Sequence, residues 1–295
     1  VCQENYSAVR QENVIKFNLL ENHLLEIDSE IIKEGAEIII RDANENLFGK
    51  KETGRDENGI CFRYLPESFV IELNANEKES IYYGKIEILK TIIVDRDSRP
   101  QMAYLIEGDK FNPFGHIVKE SLVATGSKKR VDPYPTDATP LGYYYIQGKN
   151  KNAFNGRDGR NWEMSFALWY TRKAGTPEGI NGLHAYKNTK FGYPASHGCV
   201  REPFEFAEFI FDWADVGTPL LIIGNKIENE EDENRFSLEN YSFIREKIDE
   251  LGEIKKEMEK GNYERMFLSL EETELIKENS KLIHHLRELP FKDTK

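Results

Sequence analysis

The chain has 295 residues, 39% hydrophobic and 31% charged, with a formal net charge of −12. That apolar share excludes a disordered chain and supplies core for two or three units. The acidic balance argues against a nucleic-acid binder, which needs a basic face to displace counterions, and against docking on an anionic membrane surface.

The first segment, Val1 to Gln11, is polar and lacks a signal-peptide apolar region. No apolar run reaches the roughly 20 residues of a membrane-spanning helix. Cys2 stands where a lipid-anchored cysteine would stand. Val1 precedes it, whereas lipoprotein processing leaves the cysteine first, so an ordinary terminal residue is the plainer reading. Residues 1–85 are expected to hold a helix around Val14 to Ile32 and then a small β module. Its strand-like runs are Glu37 to Ile40, Ile60 to Tyr64 and Phe69 to Leu73, separated by polar turns. A compact wall-binding barrel is one of several small β folds that fit.

Residues 86–226 are expected to be β-rich, with strands at Ile86 to Val94, Met102 to Glu107, Ile117 to Ala124, Tyr143 to Gln147, Ser165 to Tyr170 and Leu220 to Ile223. Long loops over Ser127 to Pro140 and Gly148 to Asn161 are expected to border a site, with Arg130 and Arg157 available to an anionic substrate. Pro203 to Val216 reads as a helix, apolar nearly all round and therefore largely buried. Residues 227–295 open with an acidic linker. Helical spacing of Ile244, Ile248, Leu251, Ile254 and Met258 follows, then a capping box at Ser269 to Glu272 and a second helix ending at Pro290.

The chemistry concentrates between Gly182 and Arg201. Cys2, Cys61 and Cys199 are too few for a disulfide scaffold. A cysteine is a nucleophile only as thiolate, so a neighbour must lower its pKa or take its proton. His184 and His197 are candidates, and His197 lies two residues before Cys199, on the same side of an extended segment. Gly198 between them permits a tight backbone. On residue chemistry alone, three readings stay open: cysteine catalysis, a zinc site from His184, His197 and Cys199, and inert packing.

The string Ser196-His197-Gly198-Cys199-Val200-Arg201, with His184 fifteen positions before the cysteine, closely resembles the signature of the L,D-transpeptidase (YkuD-like) catalytic domain. Further pieces are similar to that family in order: Thr91 to Asp95 with Gln101, Ala124-Thr125-Gly126, Thr139-Pro140-Leu141-Gly142-Tyr143, and Gly217 to Ile223. The resemblance does not extend to the first 85 or last 70 residues.

It implies an α+β fold: a β-rich mixed-sheet sandwich with one packed helix, preceded by the small β-containing region and followed by the helical one. Cys199 matches the nucleophile, and His184 the general base, oriented by the Ala185 carbonyl. His197 matches the histidine that shapes the pocket. Backbone N–H groups of Gly198 and Cys199 match oxyanion donors. Ser196, Arg201 and Tyr186 are expected at the substrate, Arg201 on a carboxylate. Ala185-Tyr186 and Arg201-Glu202-Pro203 depart from the usual pattern. The implied reaction is acyl transfer on peptidoglycan stem peptides, cleaving before the terminal D-Ala of a tetrapeptide and linking third residues. Water as acceptor would make an L,D-carboxypeptidase, and a lipoprotein acceptor is a further alternative, as is a non-enzymatic wall-binding module. No metal or organic cofactor is implied. The substrate places the protein outside the cytoplasm, in the periplasm or cell envelope, with its targeting segment absent from this chain.

Overall fold

The computed structural model describes residues 18–19, 24–26, 35–53, 60–75, 78–109, 112–127, 138–155, 162–170, 181–225, 238–268, 272, 275 and 276. Their residues fall into two compact units. One comprises Val1–Leu89, Glu107–His116 and Asp249–His285, and the other Lys90–Ile106, Ile117–Ile248 and Leu286–Lys295.

The first unit is built on two four-stranded sheets. In one, β3 (Glu37–Asp42) pairs antiparallel with β4 (Leu47–Glu52) and with β6 (Ser68–Ala75), which pairs with β7 (Lys78–Lys85). Ile38 lies opposite Leu73 and Ile40 opposite Ile71, so the period-2 alternation puts four large apolar side chains on one buried face. The β3–β4 turn is closed by Asp42, whose Oδ1 accepts the N–H groups of Asn44 at 2.9 Å and Asn46 at 2.7 Å.

The other sheet runs β1 (Asn18–Leu19), β2 (Leu24–Glu26), β5 (Ile60–Phe62), β16 (Phe267–Leu268). Here the helix expected around Val14 to Ile32 is corrected. Residues 18–19 and 24–26 are strands, with Asn18 opposite Glu26 and Leu24 opposite Cys61. Apolar pairs flanking a polar break mimic helical spacing, and pairing with β5 decides for the strand.

The second unit is a mixed eight-stranded sheet of order β10-β9-β8-β15-β11-β12-β13-β14. Its strands are β8 (Leu89–Asp95), β9 (Met102–Gly108), β10 (His116–Leu122), β11 (Gly142–Asn155), β12 (Trp162–Tyr170), β13 (Asn181–Ala185), β14 (Val200–Glu202) and β15 (Pro219–Ile223). β8 and β15 pair in parallel at the centre, where Ile92, Ile93 and Val94 are wholly buried, as a continuous apolar run requires. β11 and β12 form a long antiparallel hairpin. Gly148 to Asn155, expected as loop, is strand: ladder pairing with Trp162 to Trp169 overrides its polar composition. Arg130 and Arg157 lie outside the described residues.

Helix α1 (Phe204–Trp213) packs on β12 and β13 through Phe206, Ala207 and Ile210. It is less buried than expected, since Phe204 and Phe209 are exposed. Lysines cover this outer face, with Lys119 Nζ 4.1 Å from the Phe209 ring centroid and Lys187 Nζ 5.7 Å from that of Phe204. The helix has no basic residue in its last turn. Lys90 and Lys149 supply the charge from the sheet, donating to Trp213 O at 2.8 Å and Ala214 O at 2.7 Å.

Helix α2 (Leu238–Glu259) buries Ile244, Ile248, Leu251 and Ile254 at the expected spacing. Within the second unit, Arg245 Nη1 donates to Asp95 Oδ2 at 3.2 Å and to the Tyr104 hydroxyl at 3.2 Å. Asp95 is fully buried at the end of β8, and its Oδ1 takes the N–H groups of Ser98 and Asp97. Arg245→Ala leaves that carboxylate without its cation. It is expected to destabilise the protein by about 2 kcal/mol, the range for a hydrogen bond to a charged group, measured by urea unfolding.

Candidate active site

The segment from Ala195 to Arg201 has little regular structure of its own, so its shape comes from what grips it. The strand continuation Ala124 to Ser127 runs alongside. Ala124 and Arg201 exchange both backbone hydrogen bonds, at 2.9 and 2.8 Å. Thr125 O accepts the N–H groups of Ala195 and Ser196, and Ser127 N–H donates to Ser196 O. Gln101, wholly buried, clamps Thr125 from behind: its Nε2 donates to Thr125 Oγ1 at 2.8 Å and its Oε1 accepts Thr125 N–H at 3.0 Å. Thr139, also wholly buried, donates its hydroxyl to Gly198 O at 2.8 Å and accepts Gly126 N–H at 2.7 Å. Gln101, Thr125 and Thr139, met first as sequence motifs, therefore form one buried polar network behind the turn that carries Cys199.

Within the turn, Ser196 Oγ donates to Cys199 O and accepts Gly198 N–H at 3.1 Å. Gly198 has φ +128, a conformation that side chains disfavour, so glycine is required there.

Parallel pairing of β13 with β14 sets His184 beside Arg201 and Leu183 beside Val200. Paired residues share a face, so His184 and Arg201 occupy one side, and Leu183, Ala185, Val200 and Glu202 the other. Cys199 precedes Val200 and shares the His184 side; its sulfur takes a hydrogen bond from the main chain of Gly182, two residues before His184. The half-buried Cys199 and Trp169 pack on Ala153, Met164 and Ala167 of the β11–β12 hairpin. Met164 and Ala167 would face opposite sides of a regular strand. Phe166 between them has φ 55, which flips the alternation and sends its ring to Ala185 and Ala207 on the α1 side. Gly182 lies opposite Trp169, and a Cβ there would sit 2.8 Å from Trp169 Cε3, so the bare backbone makes room for the indole beside the sulfur.

His184 is 4% exposed, with Nδ1 2.9 Å from Ala185 O. That carbonyl takes the proton on Nδ1 and leaves Nε2 as the acceptor in the neutral ring. Burial pushes the His184 pKa down to about 4; the Ala185 carbonyl opposes this and the Arg201 charge adds to it. Burial pushes the Cys199 thiol up, against the Gly182 main chain and Arg201, which favour thiolate. Burial thus favours the uncharged form of both side chains. Arg201 stacks on Tyr186 with its guanidinium carbon 4.2 Å from the ring centroid, and Nη1 donates to Ala195 O at 2.9 Å. The Tyr186 ring is edge-on to His184, centroids 6.2 Å apart.

Residues 89–222 match the family model of the L,D-transpeptidase catalytic domain (YkuD), a span covering the network, both histidines and Cys199. This segment is similar to the L,D-transpeptidase catalytic domain. The match occupies a little under half of the chain. Among solved structures, an L,D-transpeptidase from Mycobacterium tuberculosis H37Rv is 18% identical, with 68% of this chain and 89% of that one covered and a TM-score of 0.35. One from Mycobacterium smegmatis is 14% identical over 68% and 89%, TM-score 0.34. One from Stackebrandtia nassauensis is 21% identical over 48% and 58%, TM-score 0.33. No curated protein matches the chain.

Within the matched segment, the geometry gathers Cys199, His184, Ala185, Arg201 and Tyr186. His197 is exposed. Ser196, expected at the substrate, is 1% exposed, and its hydroxyl is engaged inside the turn. Gly198 N–H, expected as an oxyanion donor, is held by that same hydroxyl. Among the described residues, no three His, Cys, Asp or Glu side chains are grouped to hold a metal ion.

Sequence reasoning missed Glu202 as more than a departure from pattern. It is fully buried on the α1 side of β14, and neither carboxyl oxygen has a hydrogen-bond partner among the described residues. Burial alone pushes its pKa up to about 8. The folded pKa is thus above the unfolded one, so the cost of Glu202 is smallest below the unfolded value and grows as pH rises toward the folded one. Glu202→Leu is expected to stabilise the protein by about 1–3 kcal/mol near pH 5, the cost of an unsatisfied buried polar group, and by more near pH 8, where the charged form adds its own cost. Thermal melts of both proteins across that range check it.

Proposed function

We propose that this protein is a cysteine-dependent acyltransferase of the cell wall that acts on peptidoglycan stem peptides. What supports the reading most is the parallel β13–β14 pair, which puts Cys199 and His184 on one face with the His184 ring held through Nδ1 by Ala185. His184 Nε2 takes the Cys199 proton as sulfur attacks the carbonyl of the third residue of a stem tetrapeptide. Collapse of the adduct expels the terminal D-Ala, whose amine recovers the proton from His184. The side-chain amine of a neighbouring stem then attacks the thioester, which gives a link between third residues and restores the thiol. Arg201, braced by Tyr186 and Ala195 O, keeps further N–H groups for a stem carboxylate. A substrate of this kind places the protein in the periplasm or cell envelope.

The deciding experiment is incubation with disaccharide-tetrapeptide followed by mass analysis. A cross-linked dimer supports transpeptidation. A trimmed tripeptide alone makes water the acceptor, and an unchanged substrate defeats the reading. Cys199→Ala is expected to abolish turnover, and Cys61→Ala to leave it near wild type.

A neutral resting pair also predicts a pH profile. Alkylation of Cys199 by iodoacetamide should rise with pH up to or beyond the ordinary thiol range, with no plateau below neutrality of the kind a resident thiolate–imidazolium pair gives. His184→Ala should lower turnover by about 10²- to 10⁴-fold, the span of general acid–base catalysis, while the alkylation profile moves little, because a neutral imidazole lends the thiolate no charge. An alkylation plateau on the acid side in the wild type would refute the neutral pair.

A further inference from the structure

We infer that Thr139 is a positioning residue that turns the Cys199 N–H toward the cleft as the oxyanion donor of acyl transfer. The inference rests on Cys199 as the nucleophile, and it concerns how the turn is held.

The Gly198–Cys199 peptide is a planar trans unit, so its carbonyl and its N–H point in opposite directions. Thr139 Oγ1 donates to that carbonyl at 2.8 Å, from a wholly buried position on the scaffold side. Fixing the carbonyl there fixes the N–H on the other side. The same hydroxyl accepts Gly126 N–H at 2.7 Å, so its rotor has one orientation that serves both contacts. Its neighbours in the turn are already committed: Gly198 N–H to Ser196 Oγ, and Cys199 O to the Ser196 hydroxyl. The Cys199 N–H has no hydrogen bond among the described residues, and it is the amide adjacent to the attacking sulfur.

An anchor is needed because of Gly198. At φ +128 and without a Cβ, it can rotate this peptide more readily than any other residue. Rotation would aim a carbonyl oxygen where negative charge develops. In the reaction, the C–S bond forms, the carbonyl π pair moves onto oxygen, and the Cys199 N–H donates to that oxyanion. The pair then returns, the C–N bond breaks, and the amine leaves with the proton relayed by His184. Removing one oxyanion donor costs about 10²- to 10³-fold in enzymes of known mechanism. A donor left free to swing loses less.

The test compares two reactions of Cys199 in the full chain. Acylation by p-nitrophenyl acetate passes through an oxyanion and releases p-nitrophenolate; alkylation by iodoacetamide displaces iodide and forms none. Thr139→Val, which keeps the shape and removes the hydroxyl, should slow acylation by about 10- to 100-fold while alkylation and its pH profile stay near wild type. Thr139→Ser should restore acylation to within about threefold. With disaccharide-tetrapeptide, the loss in Thr139→Val should fall on kcat rather than KM. Equal loss in both reactions, loss in neither, or failure of serine to rescue would overturn the assignment. Should Thr139→Val not fold, Thr139→Ala replaces it, and unfolding of both would make Thr139 only a structural support and overturn it too. The ester reports on Cys199 even if the stem peptide proves not to be the substrate, so the two readings fail separately.

Discussion

The turn that carries Cys199 depends on one buried hydroxyl with two duties. Thr139 ties Gly126, on the strand continuation beside the turn, to Gly198, inside it. Gln101 repeats the device one step further back by holding Thr125 through both its amide atoms. Neither side chain reaches the surface, yet together they give a segment with little secondary structure a single shape. A loop with a glycine at φ +128 would otherwise sample several shapes. Hydrogen bonds inside a dry interior are the means available, because each satisfied polar group there would be costly to release.

Burial also sets the electrostatics. It pushes His184 down, and Cys199 and Glu202 up, in each case toward the uncharged form. Arg201 is the charge that acts on both His184 and Cys199, and its field favours thiolate without overcoming desolvation. On the proposed reading, charge arises during the reaction and not before it, as stabilising a transient oxyanion requires. Glu202 contributes nothing to this. It sits on the opposite face of β14, and no contact among the described residues explains a carboxyl there.

Much of this was legible beforehand. Cys199, His184 and the Ala185 carbonyl followed from the motif, and Gln101, the Thr125-Gly126 pair and Thr139 were visible as motif pieces. Their shared purpose was not, because hydrogen bonding between residues 101, 125, 139 and 198 is a fact of three dimensions. The central strands were plain from apolar runs such as Ile92 to Val94. Gly148 to Asn155 was not, since Gly-Lys-Asn-Lys-Asn is turn-like in composition and becomes strand only through its partner. Ser196 looked available because hydroxyls beside a nucleophile often meet substrate; the tight turn claims it instead. Phe204 and Phe209 looked buried because their hydrophobicity is legible and the covering lysines, from other elements, are not.

The parallel pairing of β8 with β15 has a consequence for how the chain reaches this state. Ile93 lies beside Leu221, and the sequence between them contains all the residues of the candidate site. The sheet centre cannot close until that intervening chain has been gathered, and the loop-closure entropy is lost before the central contacts reward it. A growing chain that has emerged only as far as Cys199 holds both members of the proposed Cys199–His184 pair but not the strand that completes the core. Assembly of the candidate site is thus a late event, withheld until residues well beyond Cys199 are in hand. Such slow, non-local pairing also leaves one edge of apolar β8 open until β15 arrives, an interval in which a helper that shields strands has something to offer.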